Sequence, residues 1–287
     1  MKHKLSAAIF FAAAAMLAFA ASASAVDGTI EINQAKVLAN GGFPYTISAA
    51  NTSYRLTGNL TVPASTNGIV VNTPSITIDL NGFSITGPGT SSGLPYGIYA
   101  VENGVTVENG TITGFGTGVE VGSFGIVRNV HADANAFGIS GGLNTVVEGC
   151  TANNSTAMSG DGIYCTAECS ITGNTVNGNL EGIVCKSNGC VISGNTANAN
   201  KADAISCGSG CLISGNTTFN NAIGIDCIGS GCLASGNTIE NNSMTSMSFS
   251  DATSGYGGNV LNGNGASPEG GTSMGAKNTN LCGGTAC

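Results

Sequence analysis

The chain is poor in charge and poorest in positive charge: 287 residues carry eight Lys and Arg, sixteen Asp and Glu, and two histidines. Phosphate contacts need clustered Lys and Arg, so this balance excludes a nucleic-acid surface and docking on anionic lipid. Tryptophan is absent, which leaves tyrosine to supply any stacking face for a sugar ring. No helix-length apolar pattern and no leucine consensus occurs in the repeated part of the chain, which argues against a leucine-rich or other mixed solenoid. Beyond residue 25, no stretch approaches the ~18 apolar residues that a membrane span requires.

Residues 1–25 read as a segment to be removed. Lys2, His3 and Lys4 give a basic start, Leu5 to Ala21 is apolar apart from Ser6, and Ala23-Ser24-Ala25 is a small-x-small cleavage site. That order is the pattern of a secretory signal peptide, and it predicts a secreted or periplasmic protein. Residues 26–287 then form one large domain, in which Lys36, Arg55, Arg128, Lys186, Lys201 and Lys277 are the only basic side chains. All eleven cysteines lie in this part. In an exported chain they read first as disulfides.

What the chain has in abundance is repetition. Segments starting at Cys165, Cys185, Cys207 and Cys227 read "CTAECSITGNTVNGNLEGIV", "CKSNGCVISGNTANANKADAIS", "CGSGCLISGNTTFNNAIGID" and "CIGSGCLASGNTIENNSMTSMS". Their starts lie 20, 22 and 20 residues apart. Weaker copies precede them: "YGIYA" at Tyr96, "TGVEV" at Thr117, "FGISG" at Phe137 and "DGIYC" at Asp161 share one slot, and "VTVENGTI", "IVRNVHA" and "TVVEGCTA" share another. The repeats are clearest over residues 96–250, with an early coil around Ile76 to Gly89.

Within each slot alternate residues are apolar, which is strand periodicity, and Gly and Asn punctuate the runs where corners require left-handed backbone. One such coil cannot bury its own apolar face, whereas coils stacked about 4.8 Å apart bury a continuous column. The expected fold is therefore all-β: a single-stranded right-handed parallel β-helix with a short N-terminal cap at Ile30 to Leu38 and an irregular C-terminal tail over Gly257 to Cys287. Ile98, Val119, Ile139, Ile163, Ile183, Ile205 and Ile225 are one expected column, and Val107, Val127, Val147, Ile171, Ile192 and Ile213 a second. Asn174, Asn195, Asn216 and Asn237 are expected to form a ladder at a corner.

The "GNT…N…GI" repeats, from about Ile76 to Gly263, resemble the pectate-lyase-like right-handed β-helix superfamily. More narrowly they resemble the parallel β-helix repeat group of carbohydrate-binding and sugar-hydrolase proteins and NosD-type proteins. The resemblance implies a polysaccharide as partner. It transfers no catalytic motif: the Arg-x-Pro-x-x-Arg element of pectate lyases, the Asn-Thr-Asp and Gly-His-Gly elements of polygalacturonases and the Asp-Pro-His-Asp element of alginate epimerases are all missing from this sequence.

Four cysteine pairs, Cys165/Cys169, Cys185/Cys190, Cys207/Cys211 and Cys227/Cys232, recur at one corner of successive coils. Pairing within each turn closes a short loop, worth roughly 2 kcal/mol on the chain-entropy model, and is favoured over pairing between stacked coils, which the coil spacing also permits. Cys282 and Cys287 are expected to pin the tail, and Cys150 is left over as a buried thiol.

Three groups of residues are candidates for chemistry. Asp161, Glu181 and Asp203 share one register position, where stacked carboxylates repel unless compensated. A solvated acidic edge, a calcium site and a carboxylate pair with one protonated member are the readings this leaves open. Arg128, His131 and Asp133 form the second group. Arg128 falls in register with Glu108 and Glu148, giving a cross-strand charge ladder; in the catalytic alternative Arg128 neutralises a substrate carboxylate and His131 acts as base in a lyase or epimerase reaction on acidic glycans. Tyr96, Tyr99 and Tyr164 are the candidate sugar-stacking residues. The sequence thus leaves three functions: a non-catalytic polysaccharide-binding or cell-surface module, a polysaccharide lyase or epimerase, and a structural matrix protein.

Overall fold

A computed structural model describes residues 28–90, 95–155, 160–266, 268–273, 280–283 and 285–286. The expected leader, residues 1–25, and Cys287 lie outside the described residues. The chain winds into a parallel β-solenoid of about 11 turns, whose strands line up in sheets of 14, 10 and 7 strands. Apart from the last pair of the seven-stranded sheet, the sheets are built from strands one coil apart in sequence, paired in parallel. In the N-terminal cap a strand, Thr29–Ile32, runs into a short helix, Gln34–Ala39. Asn33 caps that helix by accepting from the Lys36 N–H at 3.0 Å. At the other end coil stacking continues as far as Leu281–Cys282, where Thr285–Ala286 turns back antiparallel.

Both expected columns form. On the ten-stranded sheet Ile98, Val119, Ile139, Ile163, Ile183, Ile205 and Ile225 pair Cα to Cα in succession, and Met247 extends the file. On the 14-stranded sheet Val107, Val127, Val147, Ile171, Ile192 and Ile213 do the same. All of these side chains are fully buried, in one continuous core that runs from Ile32 to Leu261. Burial of each such residue stabilises by about 1.5–3 kcal/mol. Close packing of neighbouring coils limits what stands beside the columns: at Gly138 an added Cβ would strike the carbonyl oxygen of Gly162.

Two asparagine ladders run inside the corners. The first is the expected one and is longer, with Asn174, Asn195, Asn216, Asn237, Asn259 and Asn280 all buried. The rungs from Asn174 to Asn259 repeat the same bonds. The Asn195 N–H and Nδ2 both donate to Asn216 Oδ1, at 2.9 and 3.0 Å, and Nδ2 also donates to the Ile171 carbonyl at 2.9 Å. From Asn174 to Asn259 each Asn follows a corner glycine such as Gly194, held at φ 65°. Cys150 occupies the same slot one coil earlier; its N–H donates to Asn174 Oδ1 at 2.8 Å, and its thiol takes the place of the amide donor, reaching the Val127 and Glu148 carbonyls. A second ladder, Asn179, Asn200, Asn221, Asn242 and Asn264, occupies the following corner with the same geometry.

The cysteine corner is bridged in its two central coils, Cys185–Cys190 and Cys207–Cys211. Both bridges lie within a turn, as expected. The other two expected bridges are not formed: Cys165, Cys169, Cys227 and Cys232 are buried thiols, as is Cys150, and Cys282 is disulfide-bonded.

Buried amides left without partners cost about 1–3 kcal/mol each. Asn216→Ala removes the acceptor of the Asn195 N–H and the donor to the Ile192 carbonyl. It should therefore lower unfolding stability by about 2–5 kcal/mol, against less than about 0.5 kcal/mol for the outward Ser193→Ala, as read by chemical denaturation.

Candidate functional site

The outer face of the ten-stranded sheet carries two rows of side chains, because each strand there, of the pattern Tyr96–Ala100, turns its first and fourth residues outward. One row runs Tyr96, Thr117, Phe137, Asp161, Glu181, Asp203. The last three are held in line by backbone bonds in which Gly138 donates to the Asp161 carbonyl, Gly162 to that of Glu181 and Gly182 to that of Asp203. The other row runs Tyr99, Glu120, Ser140, Tyr164, Val184, Ser206, Asp226.

Between the rows lies a cleft of about 410 Å³, lined by Thr117, Glu120, Phe137, Ile139, Ser140, Asp161 and Tyr164. At one end the Tyr96 and Tyr99 rings meet at a centroid distance of 4.8 Å, and the Tyr96 hydroxyl donates to the Glu120 carboxylate. At the other end four carboxylates follow in succession. Asp161 is pushed up to about 7, first by burial and then by the charge of Glu181, with Lys186 opposing. Asp203 is also pushed up to about 7, by burial and then by Asp226 and Glu181. Glu181 is raised by burial and by Asp226, again against Lys186. Asp226 is raised by burial, while a hydrogen bond from Ser248 lowers it. Half-buried like charges at strand spacing disfavour full ionisation, so Asp161 and Asp203, at about 7, hold protons near neutral pH and can donate as well as accept.

The sequence brought Tyr96, Tyr99, Tyr164, Asp161, Glu181 and Asp203 to this face. It missed Glu120, Phe137 and Asp226. Glu120 and Asp226 stand three residues past the slot held by Asp161, and the corner glycine after that first outward residue shifts the alternation. Lining up the outward position of Tyr99 and Tyr164 in every coil would have found them. The acidic residues form a file along the solenoid and do not converge on a point. Among the described residues, the group of three potential ligand atoms found within 4.8 Å of one another belongs to Cys185, Cys207 and Cys211, so the expected calcium site has no ready-made cage of carboxylates.

Arg128, His131 and Asp133 are on other faces. Arg128 lies on the 14-stranded sheet, in register with Glu108 and Glu148, and its Nε binds Glu108 Oε2 at 2.6 Å. Asn129 then takes left-handed backbone, φ 53°, and carries His131 round the corner. There His131 Nδ1 lies 2.9 Å from the Thr151 hydroxyl, which is 3.2 Å from both Asp133 carboxylate oxygens. Asp133 also accepts from the Asn153 N–H at 2.9 Å. His131 and Asp133 are thus linked through Thr151, and Arg128 is held apart by its own partner.

No family model matches the chain, and no curated protein matches it in sequence. Solved structures to which it is similar include the Dettilon tailspike protein, at 14% identity over 87% of this chain with a TM-score of 0.46. Another is the catalytic unit of a thermostable GH87 α-1,3-glucanase from Streptomyces thermodiastaticus, at 11% identity over 88% of this chain and 70% of that one, with a TM-score of 0.47. The chain spans 55% of the tailspike's length.

The raised carboxyls fix the sign of a pH dependence. A carboxyl whose folded pKa lies above its unfolded value favours folding while protonated, so its contribution is present below about pH 4 and is lost as pH rises to the folded pKa. With Asp161 and Asp203 at about 7, the thermal midpoint should fall between about pH 4 and 7 and level off above that. Asp161→Asn with Asp203→Asn should flatten that slope, as followed by scanning calorimetry.

Proposed function

We propose that the face between the Tyr96/Tyr99 pair and Asp226 is a glycan-binding groove, in which a polysaccharide lies along the solenoid axis, and that the protein is an exported, non-catalytic polysaccharide-binding module. The observation that carries this reading is the cleft of about 410 Å³ in which the Phe137 and Tyr164 side chains stand beside Glu120, Asp161, Ser140 and Thr117. Sugar sites combine apolar rings with a few convergent polar groups, and these residues supply both on adjacent coils. Carboxyls that keep protons near neutral pH supply donors and acceptors to hydroxyl groups alike. The repeat along the axis, about 4.8 Å per coil, suits a ligand that is itself a repeating chain.

Charge narrows the ligand class. Lys186 is the cation that acts on the carboxylate row, so the groove favours neutral or basic sugars and repels uronates. A lyase or epimerase acting on acidic glycans would need Arg128, which pairs with Glu108 away from the groove. A second reading has one specific observation behind it. Asp161, at about 7, stands one coil from Glu181, and two neighbouring carboxyls, one of them able to hold a proton near neutral pH, are the groups that glycoside hydrolysis uses.

Export rests on the leader-like residues 1–25 and on the disulfides. Among the described residues no helix is long and apolar enough to cross a membrane.

The test is a glycan array followed by titration calorimetry on the best neutral or amino-sugar ligand. Tyr164→Ala should weaken binding by at least about tenfold, which is 1.4 kcal/mol, and His131→Ala should leave it unchanged. Failure to bind any glycan, or binding indifferent to Tyr164→Ala, refutes the groove. Release of reducing ends that Asp161→Asn abolishes would establish the hydrolytic reading instead.

A further inference from the structure

Eight cysteines stand in two files at one corner of four successive coils. Cys165, Cys185, Cys207 and Cys227 pair Cα to Cα along the ten-stranded sheet. Cys169, Cys190, Cys211 and Cys232 form the second file. Backbone bonds from Val191 to the Cys169 carbonyl, Leu212 to that of Cys190 and Leu233 to that of Cys211 hold it in line. The two central coils are bridged and the two outer coils are not.

Each unbridged pair has a bridged twin. Cys165/Cys169 has the four-residue separation of Cys207–Cys211, and Cys227/Cys232 the five-residue separation of Cys185–Cys190. The twins share register with the unbridged pairs, and the bridged Cα distances of 6.4 and 6.5 Å fall within the range a disulfide spans. In both outer coils the two thiols act directly on each other, the first cysteine raised and the second lowered by its partner. The backbone of the outer coils is therefore set for the bond they lack.

We propose that Cys165/Cys169 and Cys227/Cys232 are oxidation sites that close within their turns, completing a ladder of four stacked disulfides, and that Cys227–Cys232 closes before Cys165–Cys169. The order follows from the covering turns. Residues 228–231 contain no buried side chain, and Ile228 is 50% exposed, whereas the turn over Cys169 tucks in Ala167 at 6%. Within each pair the second cysteine is the nucleophile. A hydrogen bond from Cys227 brings the Cys232 thiol down to about 7, and Cys165 lowers Cys169 likewise. The oxidant is a small disulfide such as oxidised glutathione. The Cys232 thiolate attacks one of its sulfurs, forming a mixed disulfide and releasing one glutathione thiolate. The Cys227 thiol then gives up its proton and attacks Cys232 Sγ, expelling the second glutathione thiolate. The protein loses two electrons and two protons, and one oxidised glutathione becomes two reduced. Cys150 stays outside this chemistry: burial pushes its thiol up to about 11, and its sulfur bonds to the carbonyls of Val127 and Glu148.

The full chain, folded, is exposed to oxidised glutathione, quenched in acid at intervals, unfolded, alkylated with N-ethylmaleimide and mapped by peptide mass. The Cys227–Cys232 peptide should appear several-fold faster than Cys165–Cys169, with Cys150 alkylated throughout. Material isolated with all four rungs closed supports the ladder, and on graded reduction its Cys227–Cys232 rung should open first. A Cys227→Ser/Cys232→Ser variant should still close Cys165–Cys169. Bridges between coils, outer pairs that stay as thiols while Cys185–Cys190 is retained, or the opposite order of closure would each overturn the proposal.

Discussion

Coil-to-coil register is the constraint on which everything else in this molecule depends. Because each strand pairs with the one a coil away in sequence, every side chain has a neighbour of the same slot above and below it. Like then packs on like. For isoleucine this is favourable: apolar neighbours fill a dry column. For asparagine it is favourable in a different way, since an amide has both a donor and an acceptor and each rung satisfies the next. The two buried ladders are therefore not a polar defect in the core. They tie up the backbone amides at corners, where the strand hydrogen bonds are interrupted.

The same rule is unfavourable for charge. Acidic side chains in one slot have acidic neighbours, and the fold offers them little cation. The result is a face on which Asp161, Glu181, Asp203 and Asp226 are all raised. Elsewhere the chain resolves the problem by alternation: Arg128 sits above Glu108 and Arg55 beside Asp79. The contrast between a face where charge is neutralised and one where it is left to accumulate singles out the ten-stranded sheet as the place where polarity is free to meet a ligand.

Cysteine at a repeated slot obeys the rule as well. Cysteines of one slot lie next to one another along the corner, bridged within the turn in two coils and held as buried thiols in the other two. The corner that lacks cysteine in the earlier coils is filled by residues such as Ala100 and Val105, both fully buried. The sulfur files thus take over a position that packing alone serves in the first half of the solenoid.

The repeat period and the alternation inside it were enough to place the columns, the first Asn ladder, two of the four in-turn cysteine bridges and the Arg128–Glu108 contact, because in a solenoid a sequence offset of one coil is a spatial contact. They were also enough to align Asp161, Glu181 and Asp203. What the sequence did not determine was the path between sheets. Left-handed residues such as Asn129 and the corner glycines turn the chain by amounts that no period records. Only the folded corners decided that Arg128 and His131 face different ways, and that Glu120, Phe137 and Asp226 join the tyrosines on one face. Local periodicity fixes neighbours along the axis; the backbone angles at the corners fix neighbours around it.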